Sequence, residues 1–388
     1  RRSDVAGGNL LGRWSRTFTN GSDMRLQVYY DHTYLRLPVP GDAFGIAPAG
    51  YLVDELDTYD IDFQHRWQPL ERHQLVWGAS YRFTRNDVTN AAALALLPAQ
   101  LDRRLASAFV QHDLRLRENL VFTLGTKVEH NDYTGYEFEP SARLQWRLAP
   151  NHTLWSAISR AVRTPSRIDR HLVQPAGPLN ILRGNPDFDS ERVVAYEVGY
   201  RTQLGRRATA SLSAFFNDYS KLRSLNITPA TLIPFIFEND LEGETYGVEL
   251  AGTVELTDGW RLHAGYNLLK EDLRVVPGGF DVNDTLNETA DPQHQVSIRS
   301  SFDLPGNIEF DAGFRWVDAF TINDGGNPAT VSSYAELDLR LGWRVNDTVE
   351  LSVVGQNLLH DRHAEYGAPS PLRVEIQRSV YAKLVWRY

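Results

Sequence analysis

Residues 378–388 read RSVYAKLVWRY. In an extended chain Val380, Ala382, Leu384, Trp386 and Tyr388 fall on one side, and Ser379, Tyr381, Lys383, Val385 and Arg387 on the other, because successive strand side chains point to opposite faces. The first set is an apolar stripe ending in two aromatics. A soluble sheet finished by such a strand would present an apolar edge open to further pairing. A membrane barrel uses the same pattern directly, apolar toward lipid and hydrogen-bonded to its neighbours. A last strand in an ordinary sheet is the competing reading, and the rest of the chain decides between them.

Working outward, the alternation recurs. Leu75, Trp77, Ala79, Tyr81 and Phe83 oppose Val76, Gly78, Ser80 and Arg82; Ile308, Phe310, Ala312, Phe314 and Trp316 oppose Glu309, Asp311, Gly313 and Arg315; Ala335, Leu337, Leu339, Leu341 and Trp343 oppose Glu336, Asp338, Arg340 and Gly342. The pattern predicts 17 strands, over residues 8–17, 24–36, 52–66, 74–87, 104–114, 120–133, 137–147, 152–162, 193–203, 207–222, 237–257, 260–272, 295–303, 308–320, 333–344, 349–359 and 378–387. A soluble sandwich would alternate in the same way with its apolar faces inward. The length of these strands and the aromatics at the ends of their stripes favour the inverted, membrane arrangement.

The connections carry the argument further. Short turns such as Asn20-Gly21, Gly205-Arg206, Asp258-Gly259 and Asn346-Asp347 alternate with long stretches at 37–51, 88–103, 163–192, 223–236, 271–294, 321–332 and 360–373, with one tight link, Thr134-Gly135, on the long side. Short periplasmic turns and long extracellular loops mark outer-membrane barrels. The expected fold is all-β: one antiparallel transmembrane β-barrel domain over residues 1–388. Single-chain bacterial barrels have even strand counts, so an odd count leads us to expect a processed chain or a fragment lacking N-terminal strands.

Composition sets the outer limits. The 388 residues are 42% hydrophobic and 11% aromatic, with a mean hydropathy of −0.38. No apolar run is long enough for a transmembrane helix, which leaves barrels open because their strands dilute the signal. With no cysteine, disulfides and thiolate metal sites are excluded. A net charge of −9 argues against a nucleic-acid partner.

Several stretches resemble the TonB-dependent receptors, the outer-membrane transporters of ferric siderophores, cobalamin and related scarce nutrients. SRAVRTPS (159–166) resembles a strand end entering a long external loop. GNPDFDSERVVAYEVGY (184–200) resembles the family's N-P-x-L-x-P-E…YE-x-G-Y segment, with Phe188 where Leu is usual and Ser190 where Pro is common. ENDLEGETYGVEL (238–250) resembles a descending strand with a Gly-Val-Glu-Leu core. VVGQNLLHDRHAEYG (353–367) resembles the N-L-x-D…Y segment, with His360 inserted before Asp361. The resemblance runs in order across most of the chain. It implies a plugged barrel of about 22 strands, of which this chain would hold the last 17, without the plug or the periplasmic TonB box. It implies a Gram-negative outer-membrane location, with outer-membrane lipid around the wall and no enzymatic activity. It also implies a ferric siderophore or similar nutrient as ligand, and import driven by TonB and its inner-membrane complex through the plug. Leu384, Trp386 and Tyr388 would form the signal read by the barrel assembly machinery. A passive porin and an outer-membrane enzyme are the alternatives; no Ser/His/Asp spacing marks a hydrolase.

Three groups of residues are candidates for chemistry. Arg163, Arg167, Arg170, His171 and Arg183 lie in one long loop and could capture an anionic ferric chelate, since guanidinium pairs well with carboxylate and phosphate; lipopolysaccharide contact or plain solvation would also account for them. Lys127, Glu129, Asp311, Arg315, Glu336, Asp338, Arg340 and Glu350 fall on polar stripes, as hydrated lumen residues or contacts to a plug. The run His360-Asp361-Arg362-His363 and the acidic stretch from Glu271 to Asp291 are read as ordinary loop residues rather than zinc or calcium sites. No metal and no cofactor is expected as part of the protein, since in this family the metal arrives inside the substrate.

Overall fold

The computed structural model describes residues 2–41, 45, 47–175, 180–228, 232–324, 327–367 and 374–387. Seventeen long strands make one continuous antiparallel meander: β1 (Asp4–Thr17), β2 (Asp23–Val39), β3 (Gly50–Leu70), β4 (His73–Thr89), β5 (Gln100–Arg117), β6 (Leu120–Asn131), β7 (Gly135–Ala149), β8 (His152–Arg163), β9 (Glu191–Leu204), β10 (Ala208–Ile227), β11 (Phe235–Thr257), β12 (Trp260–Val275), β13 (His294–Leu304), β14 (Ile308–Val317), β15 (Tyr334–Arg344), β16 (Val349–Gln356) and β17 (Ser379–Trp386). Each pairs with the next in sequence. The predicted strand over 308–320 ends at Val317, and Phe320 opens a separate hairpin, Phe320–Asp324 with Asn327–Val331. Among the described residues nothing pairs β1 with β17, so the sheet has two free edges.

Register aligns the apolar stripes into one belt. Leu384 faces Leu351, Leu351 faces Trp343, Trp343 faces Ile308, Phe310 faces Phe302 and Phe302 faces Trp260. Trp386 is 71% exposed and Val353 53%. Among the described residues no second sheet covers this face, and lipid is the solvent such a belt requires. At the short-turn end Trp260 stacks on Phe302 at 5.1 Å. Near the long-loop end Tyr30, Tyr59 and Phe83 form a second aromatic row at 5.0 and 6.2 Å.

The opposite face is polar, with large rings set over glycines. A Cβ on Gly247 would come within 2.0 Å of the Leu268 carbonyl and 2.7 Å of the Phe215 ring, so only glycine lets that ring lie flat on the wall.

The compact apolar core sits at the long-loop end of the wall. Val39, Leu52 and Val88, at the ends of β2, β3 and β4, bury one another with Ala47, Ala91 and Ala93 of the adjoining connections. Short strands Ala95–Leu96, Leu172–Gln174 and Leu182–Arg183 pair in series, and the last joins β11 in parallel at Phe235 and Ile236. Two connections are thereby knitted to each other and to the end of β11.

Candidate functional site

The site lies on the inner side of the wall where β5, the turn after β6 and the 164–190 connection meet. That connection contains the one short helix of the described residues, Arg167–His171 (α1), which the sequence reading left as loop. Its start follows from Ser166 and Asp169. The Ser166 hydroxyl accepts from the Asp169 amide, and the Asp169 carboxylate accepts from the Ser166 amide at 2.8 Å, a reciprocal cap. Asp169 is fully buried and also receives Arg163 at 3.0 Å and Arg223 at 3.4 Å. Burial alone would raise its carboxyl; the Ser166 amide and hydroxyl and then Arg163 outweigh that and hold it below the usual carboxylate range.

The helix sets two guanidinium groups and an imidazole around Tyr133. The Arg170 guanidinium lies 4.9 Å above the Tyr133 ring and gives two hydrogen bonds to the Phe188 carbonyl, at 2.9 and 2.6 Å. The His171 ring lies 5.6 Å from it, with Nδ1 3.4 Å from the phenol oxygen. Arg167 is buried and donates to the Asn86 side chain and the Pro98 carbonyl. Arg103 of β5 supplies a third guanidinium group, 5.6 Å from the ring. Among the described residues no carboxylate forms an ion pair with any of these four, and the Nε atoms of Arg103 and Arg167 are buried without a hydrogen-bond partner. Burial, then the charges of Arg167, Arg170 and Arg103, push His171 below the ordinary imidazole range, so the histidine stays neutral beside three guanidinium groups. The arrangement is a cationic basin with an aromatic floor, suited to an anionic ligand carrying flat rings.

The other predicted loop cations differ. Arg163 is bound to Glu191 and Asp169. Arg183 is exposed on the short strand Leu182–Arg183, and no described contact brings it to Tyr133. Arg103 was missed because residues 88–103 were read as a loop. The outward stripe Val110, Ala108, Ala106 of β5, carried back two residues at a time, takes in Arg104 and Asp102 and leaves Arg103 on the inner face.

All eight predicted lumen residues lie on the polar face. Arg340 binds Glu309, Asp311 and Glu350 at 3.0, 2.9 and 2.8 Å. Lys127 binds Glu129 at 2.6 Å and Glu139 at 3.3 Å. Arg315 binds Glu365 at 2.6 Å, Asp338 accepts the Asn357 amide at 2.9 Å, and Glu336 is buried. A concavity of about 1010 Å³, lined by Arg201, His263, Arg299, Arg315 and Asp338 among others, opens on this face toward the short-turn end, away from the basin. Leu384 and Trp386 lie on the lipid face opposite Leu351 and Val349; Tyr388 is outside the described residues. In the acidic connection Asp281 is occupied by the Leu225 and Thr285 amides at 2.8 and 3.0 Å. Among the described residues no group of three or more His, Asp or Glu is placed to hold a metal ion.

With fold and basin in place, the chain can be set beside known proteins. A family model described as "TonB dependent receptor-like, beta-barrel" matches residues 2–358. The chain belongs to this family and is an outer-membrane β-barrel. It is 24% identical over 278 residues to the iron-regulated outer membrane virulence protein of Vibrio cholerae, a match covering 67% of this chain and 42% of that protein. It is 24% identical over 312 residues to the probable TonB-dependent siderophore receptor PirA of Acinetobacter baumannii, covering 67% and 39%. The chain thus spans less than half the length of these curated relatives. In fold it is similar to the crystal structure of PirA, with a TM-score of 0.79, 16% identity and coverage of 99% of this chain and 62% of that one. A variant of the Pseudomonas aeruginosa ferric enterobactin receptor, solved in complex with enterobactin, gives a TM-score of 0.80 at the same identity and coverage.

Proposed function

We propose that this chain is the barrel portion of an outer-membrane receptor that binds a ferric siderophore at its external connections and imports it with TonB-supplied energy. The observation that carries the ligand class is the basin: Arg103, Arg167, Arg170 and His171 around Tyr133, free of carboxylate partners among the described residues. A metal chelate with net negative charge and aromatic arms meets both halves of that surface, since cations attract the charge and the ring gives a face to stack on. The names of the relatives, a siderophore receptor and a ferric enterobactin receptor, support the same reading. Energy coupling is assigned to the whole receptor.

The test uses the whole receptor in an outer membrane stripped of other iron receptors. Growth under iron starvation on at least one ferric siderophore, abolished when TonB is deleted, is the expected result. Uptake that continues without TonB would make it a passive channel. Arg103→Gln weakens chelate binding by about tenfold or more, the size of one charge-assisted hydrogen bond. Unchanged affinity would move the ligand away from Tyr133.

A further inference from the structure

Three guanidinium groups converge on Tyr133 with no carboxylate among them, so they repel one another. Two of them ride on a helix of five residues, too short to hold its shape by its own hydrogen bonds. On the basin side Arg167 and Arg170 bond only to uncharged groups, Asn86, Pro98 and Phe188. The charged anchor lies on the other side of the helix.

That anchor is Asp169. Arg167 and His171, four residues apart, share one face of α1, and Asp169 between them points roughly the opposite way. Its Oδ2 accepts the Ser166 amide and hydroxyl, both at 2.8 Å, and Arg163 Nη1 at 3.0 Å; its Oδ1 faces Arg223 Nη1 at 3.4 Å. Arg163 ends β8 and also binds Glu191, the first residue of β9, and the Arg223 amide of β10 donates to the same Glu191 at 2.8 Å. One buried carboxylate thus joins the helix to a cluster drawn from three successive wall strands. The return segment closes behind it. The Asn185 amide donates to the Asp169 carbonyl at 2.9 Å, and a Cβ on Gly184 would lie 2.6 Å from the Arg170 carbonyl carbon.

A carboxylate this near the basin could neutralise it. Its lone pairs are instead committed to the helix cap and to two arginines of the wall, and among the described residues it pairs with neither Arg167 nor Arg170. The helix is held by charge while its own cations stay available to an incoming anion. Resting on the basin reading above, we propose that Asp169 is the positioning residue of the ligand site: it touches no ligand, and it sets the α1 cations against Arg103 and Tyr133 by pinning the back of the helix to β8 and β10.

The whole receptor in lipid nanodiscs, with nitrogen-labelled His171, provides a test that needs no ligand. In the unsubstituted receptor His171 should titrate below the ordinary imidazole range, and Arg103→Gln should raise it by removing one of the charges that depress it. Asp169→Asn keeps an oxygen for the Ser166 amide and loses the charge that holds Arg163 and Arg223. There His171 should titrate nearer its ordinary range, Arg103→Gln should no longer move it, and thermal unfolding of the barrel should be unchanged. Asp169→Glu keeps the charge and the cap and should restore the response to Arg103→Gln. A His171 that stays depressed in Asp169→Asn and still responds to Arg103→Gln overturns the proposal. If Asp169→Asn does not fold, Arg163→Gln with Arg223→Gln removes the anchor from the wall side; it must release His171 in the same way, and an undisturbed His171 there overturns the proposal.

Affinity for an iron(III) tris-catecholate probe, an anion with flat rings, separates this role from the basin reading. Asp169→Asn should bind it about tenfold more weakly, the size of one charge-assisted hydrogen bond, and adding Arg170→Gln should weaken it little further, since Arg170 is already out of place. If Arg103→Gln and Arg170→Gln weaken binding and Asp169→Asn does not, the positioning role alone is overturned. If neither arginine matters to the probe, the basin reading fails, and the titration of His171 still decides whether Asp169 sets the helix.

Discussion

The wall and the layer of connections above it are made from similar side chains but hold their shape by different means. In the wall the inner strands pair through long ladders with few register shifts, apolar side chains face outward and polar ones inward, and Trp386 or Val353 can be left exposed because lipid completes the packing. In the connections the ladder is short, and particular buried contacts replace it. Phe188 is fully buried, Asp169 ties a helix cap to Arg163 and Arg223, and His363 lies between two carboxylates. The wall depends on a pattern that many side chains satisfy. The connections depend on individual residues, and binding specificity of the kind proposed here needs that individuality.

The contrast can be broken from either side. The largest expected effect is local. Phe188→Ala empties a buried site and removes the ring that Arg163 covers, costing the 164–190 connection about 3–5 kcal/mol. Amide exchange at Arg167–His171 should rise sharply while thermal unfolding of the barrel, followed by far-ultraviolet dichroism, stays put. A barrel that melts early with it would show the two layers to be one cooperative unit. Next, Leu339→Arg places a charge on the outward face of β15, opposite Ala312 and Gly355. It should cost the wall about 2–4 kcal/mol in urea unfolding from lipid vesicles and leave the loop amides protected.

A smaller effect is pH-dependent. Glu288, in the acidic connection, is pushed up to about 7 by burial and then by Asp281. A carboxyl raised on folding binds its proton more tightly in the docked state. Docking of this connection is thus strongest below about 4.5, weakens as pH rises toward about 7 and is flat beyond. Glu288→Gln should abolish that dependence in the exchange of residues 281–289; a slope that survives would assign it to another group. The smallest effect is expected at Arg261→Gln. Its pair with Asp303, at 3.0 Å, is about half exposed on both sides, so urea unfolding should shift by no more than about 1 kcal/mol.

Legibility in the sequence divides along the same line. Strand alternation located all 17 long strands to within a few residues, because a two-residue period repeated over ten or more positions leaves little choice of face or register. It was weaker where strands run beyond the membrane. Arg103 was read as loop although it lies inside β5, and Phe320 was read as strand although a break at Asp318 and Ala319 separates it from β14. The α1 helix is only five residues long, and its capping signal, Ser166 with Asp169, is too short to stand out from loop composition.

Of the site, residue type was readable and assembly was not. Arg167, Arg170 and His171 are visible as basic residues in one loop. Nothing in their spacing says that Arg167 reaches Asn86 and Pro98, that Arg170 and His171 converge with Arg103 on Tyr133, or that Arg183 stays apart. His360 and His363, three apart in one run, read as ordinary loop residues until the fold set Glu336 beside them.

The sequence by itself determined the wall: strand count, the two faces, and the alternation of short turns and long connections, since each depends only on neighbouring residues and a fixed backbone period. Only the tertiary structure decided which loop cations share a basin, which carboxylates they avoid and which histidine lies between two acids. Those contacts join residues tens of positions apart, through irregular backbone that no local periodicity encodes.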